Sequence, residues 1–134
     1  MKVKIYYHHT DAGGVVYHAS YLQFLEESRT DLLARAGIDM KQLIAQGRFF
    51  AVIRQELDFS SPVFYGDTLD INARITEISA ARITFEHQMI NQNGRAVACA
   101  KTTLVHINSG FKPIVIPEAM RHILDEYKGK DRLC

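Results

Sequence analysis

The sequence contains no tryptophan, only three prolines and only two cysteines among its 134 residues. Cys99 and Cys134 form neither a metal-binding nor a redox spacing, so we expect free thiols in a reducing compartment. No segment approaches the roughly 18 apolar residues of a membrane span. The amino terminus also lacks the apolar run of a signal peptide, and we therefore expect a cytoplasmic protein.

The chain also lacks a large excess of positive or negative charge. Sixteen Lys and Arg residues stand against 15 Asp and Glu residues, which gives a formal charge of +1. This balance offers no large field that would attract nucleic acid or an anionic membrane. The six histidines show none of the helical pairing or ligand spacing of a metal site. We therefore expect no metal and no nucleic-acid partner, and any anionic ligand must be held by local groups.

Apolar residues make up 47% of the chain, which is enough for the core of one domain of this length. We assign residues 1–128 to that domain and residues 129–134 to a short polar tail in solvent. The apolar pattern predicts an α+β fold in which a long helix packs against a single antiparallel sheet of about five strands, with a C-terminal helix.

The long helix is indicated by apolar residues at helical spacing. A capping-box pair, Ser20 and Gln23, marks its start, and Gly37 marks its end. Its predicted buried face consists of Tyr21, Phe24, Leu25, Ser28, Leu32 and Ala36. A weaker helix covers Met40–Gln46, and Pro117 opens a terminal helix that reaches about Tyr127.

Strands are indicated by alternation and by Val, Ile, Phe and Thr content. A first strand is predicted over Lys2–His8. The sequence Asn91–Gly94 is typical of a hairpin turn between two later strands. The four further strands are Phe49–Phe59, Thr68–Ile78, Ile83–Ile90 and Ala96–Ile107.

A glycine-rich loop places a carboxylate just before the long helix. Asp11 is followed by Gly13 and Gly14, whose missing side chains would let a substrate approach the backbone. The first turn of a helix offers unpaired N–H groups that can hold the oxyanion formed in acyl transfer. Asp11 could then act as a nucleophile or as a base toward water. On local chemistry alone, a turn that Asp11 merely caps is the commoner explanation.

The longer run Thr10-Asp11-Ala12-Gly13-Gly14-Val15-Val16-Tyr17-His18-Ala19-Ser20-Tyr21, with Tyr7 before it, resembles the signature of the Tol-Pal-associated acyl-CoA thioesterases, the YbgC group. A second resemblance lies at Pro62, Tyr65, Gly66, Asp67 and Leu69. The resemblance implies a hotdog fold, in which a helix from about His18 to Ala36 is wrapped by the sheet. It also implies a homo-oligomer, because such subunits join their sheets edge to edge with active sites at the interface, and dimers commonly pair into tetramers.

The same resemblance assigns roles to individual residues. It places the catalytic carboxylate at Asp11 and the amide that polarises the thioester carbonyl at about His18, whose side chain matches a histidine that positions substrate or water. Tyr7 falls near the site as a substrate-positioning residue, with ordinary core packing as the alternative. His8 and His9 replace the acidic pair that is usual in relatives. We expect His9 to be exposed and inert, and the alternative is that a protonated His9 favours the carboxylate of Asp11 and weakens its nucleophilicity.

The predicted function is hydrolysis of an acyl-CoA thioester to a carboxylic acid and coenzyme A, without metal or cofactor. An alternative is a non-catalytic module that binds acyl-CoA or an acyl carrier protein. A dehydratase fits less well, because no dehydratase-like helix motif is present. Cations should lie near the coenzyme A phosphates, and the sequence does not choose among Arg54, Arg82, Arg95, Lys101 and Lys112.

Overall fold

Five antiparallel strands form one sheet in the computed structural model, which describes residues 1–134. The strands are β1 (Lys2–Lys4), β2 (Arg48–Phe59), β3 (Thr68–Ile78), β4 (Arg82–Asn91) and β5 (Ala96–Asn108). They lie in the order β1-β3-β4-β5-β2, so the short β1 and the long β2 are the two edges. The four later strands confirm the predicted ones to within one residue at each end.

The first strand is shorter than the alternation over Lys2–His8 predicts. Pairing with β3 ends at Lys4, and a single 3₁₀ turn occupies Tyr7–His9. The hydroxyl of Thr10 donates to the carbonyl of Tyr7 at 2.6 Å, and the N–H of Tyr6 donates to Nδ1 of His9 at 2.9 Å. These local hydrogen bonds between side chains and backbone compete with the backbone pairing of a strand. The alternation of apolar and polar residues does not reveal this competition.

Three helices complete the fold: α1 (Ser20–Arg35), α2 (Met40–Ala45) and α3 (Glu118–Glu126). The predicted capping box at the start of α1 is wrong. Ala19 is the cap residue and makes no side-chain bond, whereas the hydroxyl of Ser20 donates to the carbonyl of His9 at 3.2 Å. The predicted end is confirmed, because Gly37 follows the helix with φ +84°, a conformation that favours glycine. None of the three helices is both long and apolar enough to cross a membrane.

The core lies between α1 and one face of the sheet. The helix buries the predicted residues Tyr21, Phe24, Leu25, Ser28 and Leu32. All of these except Ser28 belong to two apolar clusters, one of which includes Leu69, Ile71 and Met89 and the other Ile83, Phe85 and Leu104.

Several polar residues are buried as well, among them Arg29 and His87. Arg29 of α1 is 7% exposed and its guanidinium donates to the hydroxyl of Thr102 at 3.4 Å. His87 of β4 is fully buried, and neither ring nitrogen has a hydrogen-bond partner in the chain. Burial, with the charge of Arg29 adding to it, lowers the pKa of His87 to about 3. His87 is therefore neutral at physiological pH.

The carboxyl-terminal segment is fastened to the sheet. The expectation of free thiols was wrong, because Cys99 of β5 and Cys134 form a disulfide. Residues 129–134 are partly or fully exposed, but hydrogen bonds hold them against the sheet. The N–H of Gly129 donates to the carbonyl of Ile75 at 2.9 Å, and the side-chain amide of Gln88 donates to the carbonyl of Leu133 at 2.8 Å.

Candidate active site

A cleft of about 400 Å³ opens beside the start of α1. The loop before the helix and its first turn form one wall, and the segment that follows β2 forms the other. Asp11 and His18, which lie seven positions apart in sequence, both line this cleft. The remaining lining residues are Val15, Val16, Tyr21, Phe59, Ser60, Ser61, Pro62 and Val63.

Backbone hydrogen bonds hold the carboxylate loop in place. The N–H of Asp11 donates to the carbonyl of Val15 at 3.0 Å, and the N–H of Gly14 donates to the carbonyl of Asp11 at 3.0 Å. Gly14 adopts φ +80°, which a residue with a side chain rarely does. The N–H of Val16 then donates to the carbonyl of Val63 at 2.8 Å and joins the two walls of the cleft.

The side chain of Asp11 is exposed and uses only one of its oxygens within the chain. Oδ1 accepts the N–H of Gly13 at 2.8 Å, so the turn-capping role suggested by local chemistry is present. Oδ2 has no hydrogen-bond partner in the chain. One carboxylate oxygen therefore fixes the side chain, and the other is available to a ligand.

The start of α1 carries backbone N–H groups that the chain leaves unpaired. The N–H of Tyr17 donates to the carbonyl of His9, and that of Ser20 donates to the carbonyl of Tyr17. Those of His18 and Tyr21 make no hydrogen bond within the chain, and both residues line the cleft. Such N–H groups, together with the positive end of the helix dipole, can hold a negatively charged oxygen.

Three hydroxyl groups line the cleft, and only one of them is free. Ser60 donates to the carbonyl of Ala96 at 3.1 Å, and Ser61 donates to the carbonyl of Ser60 at 2.8 Å. The hydroxyl of Tyr21 makes no hydrogen bond, although the residue is only 3% exposed. Burial raises the pKa of Tyr21, which keeps this hydroxyl protonated and able to donate. Sequence reasoning missed it, because helical spacing places Tyr21 on an ordinary core face.

Tyr7 lies outside the cleft. Its ring is 80% exposed and packs edge-on against Tyr65, with ring centres 6.3 Å apart. Within the single chain, the side chain of Tyr7 neither packs in the core nor lines the cleft. The positioning role of Tyr7 stays a prediction.

His9 is a structural residue of the loop and is only partly exposed. Its ring packs edge-on against Phe24, with ring centres 5.0 Å apart, and its Nδ1 accepts a backbone N–H. Burial lowers the pKa of His9, and neighbouring His8 lowers it further. A neutral His9 places no positive charge beside the loop of Asp11.

Known proteins share both the sequence and the fold of this chain. The family model of the thioesterase-like superfamily matches residues 6–124. The acyl-CoA thioester hydrolase YbgC of Escherichia coli O6:H1 is 32% identical over 127 residues, which cover 94% of this chain and 92% of the relative. The 1,4-dihydroxy-2-naphthoyl-CoA hydrolase of Crocosphaera subtropica is 31% identical over 105 residues, which cover 78% and 77% of the two chains. The crystal structure of a Synechocystis 1,4-dihydroxy-2-naphthoyl-CoA thioesterase superposes with a TM-score of 0.87 at 25% identity, over 94% of both chains.

Proposed function

The chain belongs to the thioesterase-like superfamily, and on that premise we propose that it hydrolyses acyl-CoA thioesters with Asp11 and the first turn of α1 as its reactive groups. Its hotdog architecture is that of solved thioesterases. Its relatives are named as acyl-CoA thioester hydrolases, which makes this chain an enzyme of that class.

One observation carries the assignment of the site. A carboxylate with a free oxygen and two unpaired backbone N–H groups line a single cleft whose other wall is mainly apolar. Acyl transfer needs these two elements: a group that attacks the carbonyl carbon or activates water, and donors that stabilise the developing oxyanion. The apolar wall formed by Phe59, Pro62 and Val63 suits an acyl group.

In the proposed reaction, the thioester carbonyl oxygen lies against the N–H of His18. Asp11 takes a proton from a water molecule, whose oxygen forms a bond to the acyl carbon. The resulting oxyanion is held by the backbone donors. Collapse of this intermediate breaks the C–S bond, and the coenzyme A thiolate leaves and receives the proton from Asp11. No metal or cofactor takes part in these steps.

Asp11 could instead attack the acyl carbon directly, expel the coenzyme A thiolate and form a mixed anhydride that water then cleaves at the carboxyl carbon of Asp11. Single-turnover hydrolysis in ¹⁸O-labelled water separates the two routes. We favour the general-base route, because the hydrogen bond from Gly13 and the exposure of Asp11 suit a base facing solvent. This route predicts one ¹⁸O in the acid product. The anhydride route predicts ¹⁸O in Asp11 and none in the first-turnover acid.

Steady-state release of thiol from acyl-CoAs of graded length tests the function and the site together. We expect release by the wild-type enzyme and a loss of about 100-fold or more in kcat for Asp11→Asn, which keeps an acceptor for the N–H of Gly13. Asp31→Asn is a matched control on the exposed face of α1 and should leave kcat unchanged. Tight binding of acyl-CoA without thiol release would instead support the non-catalytic module.

We also propose that two copies pair through β2. The outer edge of this 12-residue strand has no partner in the chain, and its exposed residues include Val52, Ile53 and Phe59. A long apolar edge is a ready site for pairing with another strand. Light scattering at micromolar concentration should give a dimer or a tetramer, and a monomer would contradict the shared interface.

A further inference from the structure

The last seven residues, 128–134, run across three neighbouring strands of the sheet. The first of them forms a parallel bridge with Ile75 of β3, and the carbonyl of the sixth accepts the side-chain amide of Gln88 in β4. The last, Cys134, forms the disulfide with Cys99 of β5. We call this segment the strap.

The strap lies on the face of the sheet that points away from α1. In β4, Glu86 and Gln88 flank the buried His87. In β5, Cys99 lies between two buried alanines of the core. Successive side chains of a strand point to opposite faces of the sheet. The residues that the strap contacts in β4 and β5 are therefore on the face opposite the core.

An ion pair beneath the strap gives it a defined seat. Arg74 of β3 and Glu86 of β4 are paired at 3.0 Å, and each side chain is only 15% exposed. The same carboxylate oxygen of Glu86 accepts the N–H of Leu133 at 3.0 Å. A Cβ atom added at Gly129 would collide with the side chain of Arg74, so the close approach of the strap depends on glycine at this position.

The noncovalent contacts of the strap are few. Its sequence, Lys-Gly-Lys-Asp-Arg-Leu-Cys, contains a single aliphatic side chain, that of Leu133, so it buries little apolar area. The two hydrogen bonds of the Leu133 backbone are only partly buried. A hydrogen bond that competes with water contributes little net stability. The disulfide is therefore the main fastening of the strap.

The two sulfur atoms of this disulfide differ in access. Cys134 is exposed, whereas Cys99 is half-buried in β5. Disulfides open when a thiolate attacks one of the two sulfur atoms, and access to that sulfur limits the rate. Exposed disulfides are accordingly the labile ones. A small thiol reaches the sulfur of Cys134 more easily than that of Cys99.

We propose that Cys134 is a thiol-exchange site through which small thiols open the disulfide and release the strap. A thiolate attacks Sγ of Cys134, the S–S bond breaks, and Cys99 leaves as a thiolate. A second thiol displaces the first from Cys134 and leaves as a small-molecule disulfide, so two thiols supply the two electrons. A compartment rich in thiols keeps the strap open, and a disulfide oxidant fastens it.

Limited trypsin digestion of the full chain measures the release, because the strap contains cleavage sites after Lys128, Lys130 and Arg132. The oxidised chain is compared with a chain that has been reduced, capped with iodoacetamide and freed of reductant. Cleavage at these sites should be at least about tenfold faster in the reduced chain, since a protease cuts segments that have opened. Equal rates would overturn the proposal.

Arg95 is the internal control, because it is exposed beside the β4–β5 hairpin turn and lies outside the strap. Reduction should leave cleavage after Arg95 unchanged. An equal acceleration there would overturn the proposal, because it would show that the disulfide restrains the whole fold and not the strap alone.

Two variants separate the disulfide from the other contacts of the strap. Cys134→Ser should be cleaved in the strap as fast as the reduced wild type, without any reductant. Leu133→Ser loses the only aliphatic side chain but keeps the disulfide, and in oxidised form it should be cleaved as slowly as the oxidised wild type. Fast cleavage of oxidised Leu133→Ser would contradict the proposal, because packing of Leu133 would then be the fastening.

Peptide mass mapping identifies the sulfur that is attacked. After brief exposure of the oxidised chain to millimolar glutathione and an acid quench, we expect a glutathione mixed disulfide on Cys134 and a free thiol on Cys99. A mixed disulfide confined to Cys99, or a disulfide that stays intact, would refute the exchange site. Neither measurement involves an acyl-CoA, so the outcome is independent of the proposed hydrolysis.

Discussion

The N–H of Gly13 donates a 2.8 Å hydrogen bond to Oδ1 of Asp11. A Cβ atom added at Gly13 would lie 3.1 Å from that same oxygen, closer than ordinary contact. Gly13→Ala should therefore displace the carboxylate by a few tenths of an ångström and lower kcat for acyl-CoA about tenfold. The thermal midpoint should stay near that of the wild type, because Gly13 does not have a positive φ.

Gly14 provides the matched control. An added Cβ there would contact nothing within 4 Å, but the residue has φ +80°. Gly14→Ala should cost about 1–2 kcal/mol of stability through backbone strain. Thermal unfolding and thiol release of both variants check the contrast. Normal turnover by Gly13→Ala would show that the placement of Oδ1 does not matter to catalysis.

The free hydroxyl of Tyr21 gives a second prediction. The substitution Tyr21→Phe removes no hydrogen bond from the folded protein, because the hydroxyl makes none in the chain. The ring keeps its edge-on contact with Phe59, with ring centres 5.0 Å apart. Stability should therefore be unchanged, whereas kcat/KM should fall about tenfold if the hydroxyl donates to bound substrate. Denaturant unfolding and thiol release measure the two effects. Full activity would limit Tyr21 to packing.

The disulfide between Cys99 and Cys134 closes a sequence separation of 35 residues. Such a link restricts the unfolded chain and is worth about 2–4 kcal/mol. Urea unfolding of the wild type should therefore shift to lower concentration when dithiothreitol is added. Cys134→Ser should match the reduced wild type and show no response to dithiothreitol. An equal response of both proteins to the reductant would show that the shift does not come from this bond.

His87 makes stability depend on pH. Its pKa is about 3 in the folded protein against 6.5 in the unfolded chain, so the unfolded chain binds more protons between these values. The stabilisation that depends on a neutral His87 is fully present above pH 6.5. As the pH falls from there toward 3, the free energy of unfolding declines by roughly 1 kcal/mol per pH unit. Free energies of unfolding from pH 6.5 to 5 should fall less steeply in His87→Met. An unchanged slope would mean that His87 does not account for the effect.

The parts of the fold set by local pattern were predictable. Strands β2 to β5 alternate because one face packs on α1, and their ends agree with prediction to within one residue. Gly37 and Gly94 were recognised because positive φ favours glycine. The first strand was overestimated, because the side chain of His9 and the hydroxyl of Thr10 redirect the backbone.

The parts that depend on distant contacts were not predictable. Asp11 and His18 are close in sequence, and the family resemblance pointed to both. Residues 59–63 form the opposite wall of the cleft, and backbone pairing such as that between Val16 and Val63 brings this wall next to Asp11 and His18. No local sequence pattern predicts such a contact between distant segments. The disulfide likewise depends on the path of the last residues across the sheet.

Single-turnover thiol release by Asp11→Asn, with enzyme in excess over an acyl-CoA that the wild type cleaves, tests the central claim most directly. This measurement separates chemistry from binding and product release. We predict that the variant binds the substrate with wild-type affinity and releases thiol at least about 100-fold more slowly. Release within a few-fold of the wild-type rate would contradict the assignment of Asp11 as the reactive group.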